Sequence, residues 1–196
     1  MTFDFARVAG ICALLAALDG LLYSVAFVVL KNSGLAGACL LVGGVLTIIA
    51  LAGLRELVAP AGPGLATAAF ALAVAAGLGA AAHGGYDLAN AIHPPPGGIP
   101  DAPSQVDPRG LLTFGFAGLA AAGFATLIGA TRAWPRGLAL LGYLTAVLLV
   151  IVYLARLIIL SPSNPLVLGP AALAGLIVNP AWYAWLGVTM LRSVAR

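Results

Sequence analysis

Residues 64–82 read GLATAAFALAVAAGLGAAA, and residues 83–96 continue as HGGYDLANAIHPPP. The first stretch holds no charged residue and is about as long as the roughly 20 apolar residues that a helix needs to cross a bilayer. The second stretch adds histidine, tyrosine, aspartate and asparagine and ends on three consecutive prolines. The junction therefore predicts a membrane-spanning helix that turns polar at one end before prolines stop it.

The composition of the whole chain agrees with a membrane protein. Its 196 residues are 62% hydrophobic and only 8% charged, with a mean hydropathy of +1.10. A soluble domain carries about 25% charged residues, so this chain could not cover its surface with polar groups. The net charge of +3 comes from arginines near helix ends and does not indicate a nucleic-acid-binding face.

The same pattern of long apolar runs recurs along the chain, with breaks rich in proline, glycine and serine between the runs. The six predicted spans are about 7–30, 35–55, 64–92, 109–131, 137–160 and 167–191. We therefore predict an all-α fold, an integral membrane bundle of six transmembrane helices that forms one domain over residues 1–196. The first apolar run is too long for the core of a signal peptide, so we expect an uncleaved first span. Runs such as GLAGACLLVGG favour close helix packing through small faces.

Basic residues are distributed unequally between the two sides of this predicted bundle. Six arginines fall on the side of the termini: Arg7, Arg55, Arg132, Arg136, Arg192 and Arg196. Only Lys31 and Arg109 flank the other side. The positive-inside rule then predicts both termini in the cytoplasm and the loop 94–108 outside.

Polar residues collect toward the predicted outer side. His83, Tyr86, Asp87 and Asn90 have the i, i+3, i+4, i+7 spacing of one helical stripe, and His83 and Asp87 could share a hydrogen bond. Arg109 opens the fourth span, while Tyr153 and Arg156 share a face near the end of the fifth. We interpret these seven residues as candidate ligand-binding residues and expect Arg156 to pair with Asp87. The plainer interpretation is that the third helix runs out into water and packs against the outer loop.

One acidic residue lies deeper. Asp19 is midway between Arg7 and Lys31, where an ionised carboxylate costs about 2.5–3.5 kcal/mol on insertion scales. We expect it to face the bundle, to be protonated, and to lie near the sixth span at Asn179. Because Pro180 lacks a backbone N–H, we also expect Asp19 to donate a hydrogen bond to the freed carbonyl of Leu176. Its role is either structural, as a satisfied packing residue, or functional, in handling a proton or a ligand.

The sequence predicts no metal and no cofactor. His93 lies ten residues from His83, on another helix face and about 15 Å away, so one helix cannot offer both to one haem or metal. Cys12 and Cys39 lie within apolar runs near opposite membrane faces, and we expect both to be buried and unpaired. We find no phosphate-binding loop, CxxC, HExxH or GxSxG motif, which leaves an enzyme the less favoured class.

Three stretches carry a loose resemblance to known proteins: ARVAG at 6–10, WPRGLALLGYL at 134–144 and NPAWYAWLGVTMLR at 179–192. Together they resemble a broad family of small six-helix bacterial membrane proteins of unknown function. The resemblance implies the six-span fold and a location in a bacterial inner membrane, and it assigns no function or site residue. HGGYDLANAIH and SQVDPRG are not part of that pattern.

Three functions fit the sequence. The first is a protein that binds a small hydrophobic or amphipathic ligand, such as a lipid, quinone or isoprenoid, at a polar site open to the extracytoplasmic side. The second is an accessory subunit that packs against a membrane-protein partner or a second copy of itself through small-residue faces. The third is a small proton-coupled transporter using Asp19, or an intramembrane enzyme with His83 and Asp87 as an acid–base pair.

Overall fold

A computed structural model describes residues 4–97, 110–131, 133–159 and 164–194. Over these residues the chain forms an all-α bundle of six helices, each long and apolar enough to span a membrane, and no strand is present. The helices are α1 Phe5–Val29, α2 Ser33–Ala61, α3 Pro63–Ile92, α4 Leu111–Ala130, α5 Arg136–Ile159 and α6 Pro165–Ser193. The predicted all-α, six-helix membrane fold is confirmed.

Helix starts are fixed by residues that satisfy the first free backbone N–H groups. Asp4, Asn32 and Asn164 cap α1, α2 and α6, each accepting a hydrogen bond from a backbone N–H of the first turn, at 3.3, 2.9 and 2.9 Å. The second span was predicted to end at residue 55, whereas α2 continues to Val58 and closes with a 3-10 turn, Ala59–Ala61. The charged Glu56 near the end of α2 did not stop the helix, because its side chain is exposed and its charge is therefore not desolvated.

The two ends of the bundle differ in charge. We call one the Lys31 end; it holds the α1–α2 turn, the end of α3 and the start of α6. We call the other the Arg55 end; it holds the start of α1, the α2–α3 turn and the end of α6. Arg7, Arg55, Arg136 and Arg192 all lie in helix segments at the Arg55 end.

The six helices form a closed ring. Each helix packs against the next one along the chain, and α6 packs against α1. The seam between α2 and α3 is built on glycines: a Cβ on Gly37 would come within 2.8 Å of the Gly84 carbonyl oxygen, and one on Gly44 would meet the Gly77 carbonyl oxygen. The predicted packing through small faces is therefore found at this seam, where two backbones touch directly.

The inside of the ring is filled unevenly. In the half toward the Arg55 end, which we call the packed half, large apolar side chains are fully buried: Leu54, Val58, Phe124, Ile128, Leu138, Leu186 and Met190. In the half toward the Lys31 end, which we call the cavity half, small residues mixed with several aromatic side chains line a partly open cavity. The candidate site therefore lies in the cavity half.

Among the described residues, three helices are locally wound as π-helix. All three segments lie in the cavity half or at its border with the packed half. They are Val25–Val29 in α1, Leu111–Phe116 in α4 and Ala174–Val178 in α6. Each includes residues of the cavity wall, such as Phe27, Thr113 and Gly175. Such segments are rare and frequently lie at functional sites, since the extra residue re-aims side chains.

Candidate functional site: a polar cavity inside the helix ring

The cavity has a volume of about 200 Å³ and is lined by residues from all six helices. It reaches from Trp182 and Leu51 near the middle of the bundle to Val28 and Arg156 toward the Lys31 end. Most of the wall is alanine, glycine, leucine and aromatic side chains, with a small number of polar groups among them. This mixture is typical of sites that bind a small organic molecule.

Asp19 is the acidic residue of the cavity wall. Its carboxylate Oδ2 lies directly against Gly43 of α2, where even a methyl group would collide with it. Within the described residues it forms no hydrogen bond and no ion pair, although its charge acts on the thiol of Cys39. A carboxylate far from both ends of α1 thus borders the cavity, and none of the described protein groups is hydrogen-bonded to it.

Other polar groups of the wall share this property. The Thr113 hydroxyl and the Trp182 indole N–H are buried, and neither has a hydrogen-bonding partner among the described residues. The Asn179 amide also borders the cavity, 3.8 Å from the position of a Cβ on Gly20. By contrast, Ser24 and Thr145 donate hydrogen bonds of 2.9 Å to backbone carbonyls of their own helices. Buried polar groups are normally paired, so the unpaired ones mark where a polar ligand or water would bind.

The predicted position of Asp19 is correct, but its predicted hydrogen bond is wrong. Asp19 borders the cavity inside the bundle, as expected, and Asn179 lines the same cavity. It does not donate to the Leu176 carbonyl, because Asp19 takes part in no hydrogen bond of the described chain. The reason lies in α6: the helix widens to π-winding just before Pro180, and the Asn179 N–H bonds to the Ala174 carbonyl. The helix before this proline is thus irregular in its own winding, and Asp19 makes no hydrogen bond to it.

Toward the Lys31 end the cavity passes between charges of opposite sign. Tyr23 of the wall lies in the electrostatic field of both Arg156 and Asp87. Arg156 borders the cavity, and Asp87 lies outside its wall on α3. The predicted direct pairing of Arg156 with Asp87 stays a prediction.

The α3 stripe lies beside the cavity wall and is not part of it. His83 is buried, and its Nε2 is 3.4 Å from Asp87 Oδ2, which confirms the predicted contact between the two side chains. The Asp87 Cβ is 3.0 Å from the Cβ position of Gly37, so this pair lies at the α2–α3 seam. Tyr86 is 49% exposed and Asn90 is half-buried. His83 and Asp87 of the stripe therefore lie at the α2–α3 seam, and no residue of the stripe borders the cavity.

The remaining predicted site residues divide into described and undescribed ones. The Tyr153 ring packs over Gly110 and Gly115 of α4, 3.4–3.7 Å from their Cβ positions. Arg109 lies outside the described residues. Among the predicted ligand-binding residues of the described chain, Arg156 alone borders the cavity, joined there by the deep polar residues Asp19 and Asn179.

Cys12 and Cys39 are both buried and unbridged, as predicted. Cys12 packs into the core of the packed half, while Cys39 lines the cavity. In the part of the chain that the structure describes, no three histidine, cysteine, aspartate or glutamate side chains come close enough to hold a metal ion.

Sequence reasoning missed several residues of the cavity wall, chiefly Tyr23, Thr113, Trp182 and Tyr183. Tyr23 lies one helical turn beyond Asp19, so the spacing of those two residues was a usable signal. Trp182 and Tyr183 follow Asn179–Pro180, where a proline in a transmembrane helix hints at irregular winding. Nothing in the sequence indicated Thr113, because an isolated threonine in an apolar span does not show which way its side chain faces.

Comparison with known proteins adds nothing to this picture: no family model, no curated protein and no solved structure matches the chain.

Proposed function

We propose that this chain is a multi-pass membrane protein that binds a small hydrophobic or amphipathic molecule in the cavity inside its helix ring. The observation that carries the proposal is two polar groups on an otherwise apolar cavity wall that have no hydrogen-bonding partner among the described residues: the half-buried Asp19 carboxylate and the buried Thr113 hydroxyl. Leaving a buried polar group without a partner costs about 1–3 kcal/mol, and a bound ligand would offset that cost.

The size of the cavity limits the ligand. An apolar cavity of about 150 Å³ holds benzene, so about 200 Å³ suits one substituted ring or a branched head group. A whole lipid or isoprenoid chain is too large for this volume. The part that binds inside the ring would therefore be a compact group, such as a quinone-sized ring or the head of an amphiphile.

The test is to purify the protein in mild detergent, extract it with organic solvent and identify retained small molecules by mass spectrometry. The matched pair is Ala117→Leu, which fills the cavity wall, and Ala71→Leu, which adds the same atoms to an exposed site on α3. We expect one compound to be retained by the wild type and by Ala71→Leu, and lost from Ala117→Leu. Equal retention by all three would contradict a site in this cavity, and stoichiometric protein partners without a ligand would favour the accessory-subunit function.

We further propose that the protein resides in a bacterial inner membrane with both termini in the cytoplasm, so that the cavity half faces the extracytoplasmic side. The support is the charge difference between the ends, since Arg7, Arg55, Arg136 and Arg192 are grouped at the Arg55 end. In a cysteine-free background, Lys31→Cys should react with a membrane-impermeant maleimide in intact cells. Gly62→Cys, in the α2–α3 turn, should react only after permeabilisation. The reverse pattern would invert the orientation.

A further inference from the structure

The charge balance inside the cavity points to the chemistry of the ligand. Asp19 is acidic and lies at mid-membrane depth, while Arg156 is the cation of the described cavity wall. Counting helix rise from the ends of α1 and α5, Arg156 lies roughly 10 Å nearer the Lys31 end than Asp19. Its charge also acts there together with the opposite charge of Asp87, because both act on Tyr23. At the depth of Asp19, the described protein supplies no positive charge.

Aromatic rings flank the carboxylate on both sides. Toward the Lys31 end, Tyr23 and Phe27 stack with ring centroids 5.9 Å apart and an interplanar angle of 14°. Toward the packed half, Trp182 and Tyr183 meet edge to face at 4.9 Å and 70°. All four residues line the cavity, and Phe114 adds a fifth ring. Aromatic faces attract cations, and apolar pockets built from such rings recognise quaternary ammonium groups.

We propose that the ligand is a small lipophilic cation, an amine or quaternary ammonium, whose charge pairs with the Asp19 carboxylate between these two ring pairs. This rests on the proposed function, that the cavity binds a small molecule. An amine or ammonium group at this place would supply the positive charge that the described protein does not place beside the carboxylate. A ligand anion would be repelled by the Asp19 carboxylate, and a neutral ligand would leave its charge unpaired.

The experiment compares two probes of equal shape, benzyltrimethylammonium and its uncharged carbon isostere neopentylbenzene. Binding is followed by Trp182 fluorescence in protein held in zwitterionic lipid nanodiscs, with Trp134 and Trp185 replaced by phenylalanine. Empty nanodiscs correct for partitioning into lipid. We expect saturable binding of the cation, and a loss of at least about tenfold in its affinity in Asp19→Asn, as for removal of one partner of a close charge pair. Neopentylbenzene should bind Asp19→Asn and the parent protein alike.

The control variants separate charge from structure. Glu56→Gln removes an exposed acid at the Arg55 end and should leave cation binding unchanged. Asp19→Glu keeps the charge and should retain the preference for the cation, which decides the matter even if Asp19→Asn fails to fold. If both probes bind the parent protein equally and Asp19→Asn changes neither, the ligand is not recognised by charge, although the cavity is still a binding site. If neither probe binds the parent protein, the proposed function itself is wrong.

Discussion

The packed half and the cavity half of the ring are built from the same six helices and from similarly apolar sequence, yet one is solid and the other hollow. In the packed half, Phe124, Leu138 and Leu186 belong to one hydrophobic cluster and are fully buried. In the cavity half, small residues such as Ala76, Gly77 and Ala117 stand among the larger side chains of the wall. The comparison teaches that hydropathy does not set where a helix ring is hollow; small residues among the larger wall side chains leave space unfilled.

Helix winding reinforces the difference. The three π-helical segments lie in α1, α4 and α6, and each contributes to the cavity wall. Within the described residues the packed half contains none. Irregular backbone inside a membrane is tolerated where it is buried or lines a cavity, so these segments and the cavity belong to one arrangement.

The α2–α3 seam should show that the cavity half is tight between its helices even where it is hollow on the axis. A Cβ on Gly44 would collide with the Gly77 carbonyl oxygen and lie 3.0 Å from the Ala81 nitrogen, and backbone atoms cannot move aside. We expect Gly44→Ala to lower the free energy of unfolding by about 3 kcal/mol, at the upper end for overpacking. Gly64→Ala on α3 meets nothing within 4 Å and should be neutral. Thermal unfolding in detergent measures both, and equal midpoints would contradict the close approach at the seam.

A pair of identical substitutions on α4 sharpens the contrast between the halves. Ala125 is fully buried, and its Cβ is 3.0 Å from the Cβ position of Gly142 on α5. We expect Ala125→Leu to cost about 2–3 kcal/mol through overpacking. Ala117→Leu extends into the cavity and should change stability by no more than about 1 kcal/mol, with a gain possible where the void is filled. A larger penalty for Ala117→Leu, measured by unfolding in the same detergent, would mean that the cavity half is not hollow.

Truncating a leucine to alanine on α5 should give a smaller difference in unfolding free energy between the two halves. Leu138 is fully buried in the packed half, whereas Leu149 borders the cavity. We expect Leu138→Ala to cost about 2 kcal/mol, because truncation leaves a new void among close-packed side chains. Leu149 already lacks neighbours on one side, so Leu149→Ala should cost about 1 kcal/mol or less. Similar unfolding shifts for the two variants would erase the distinction between the halves.

The sequence was sufficient for the features that depend on local chemistry. Runs of about 20 apolar residues located all six helices, and the i, i+4 spacing of His83 and Asp87 predicted their contact, found at 3.4 Å. Polarity, charge and helix period are all local, so one sequence expresses them. The predicted inward orientation of Asp19 is also correct, since an isolated carboxylate in lipid is expensive.

The cavity could not be predicted in the same way. It depends on which faces of six helices meet, and the chain gives no strong periodicity when nearly every position is apolar. The sequence consequently placed the candidate site on the polar stripe of α3, whereas the polar residues that border the cavity include Asp19 on α1, Thr113 on α4, Arg156 on α5 and Asn179 on α6. The π-winding before Pro180 was likewise not predicted from the sequence.

The two native cysteines allow the central claim, a ligand-sized cavity in one half of the ring, to be measured without mutation. Cys39 lines the cavity and Cys12 lies in the packed half, and both are more than nine-tenths buried. The folded protein in nanodiscs would be treated with methyl methanethiosulfonate, a small thiol reagent, and modification of each cysteine followed by peptide mass spectrometry. We predict that Cys39 is modified while Cys12 stays protected until the protein is unfolded, and that Ala117→Leu slows the reaction of Cys39. Equal reactivity of the two cysteines, or faster modification of Cys12, would contradict the account.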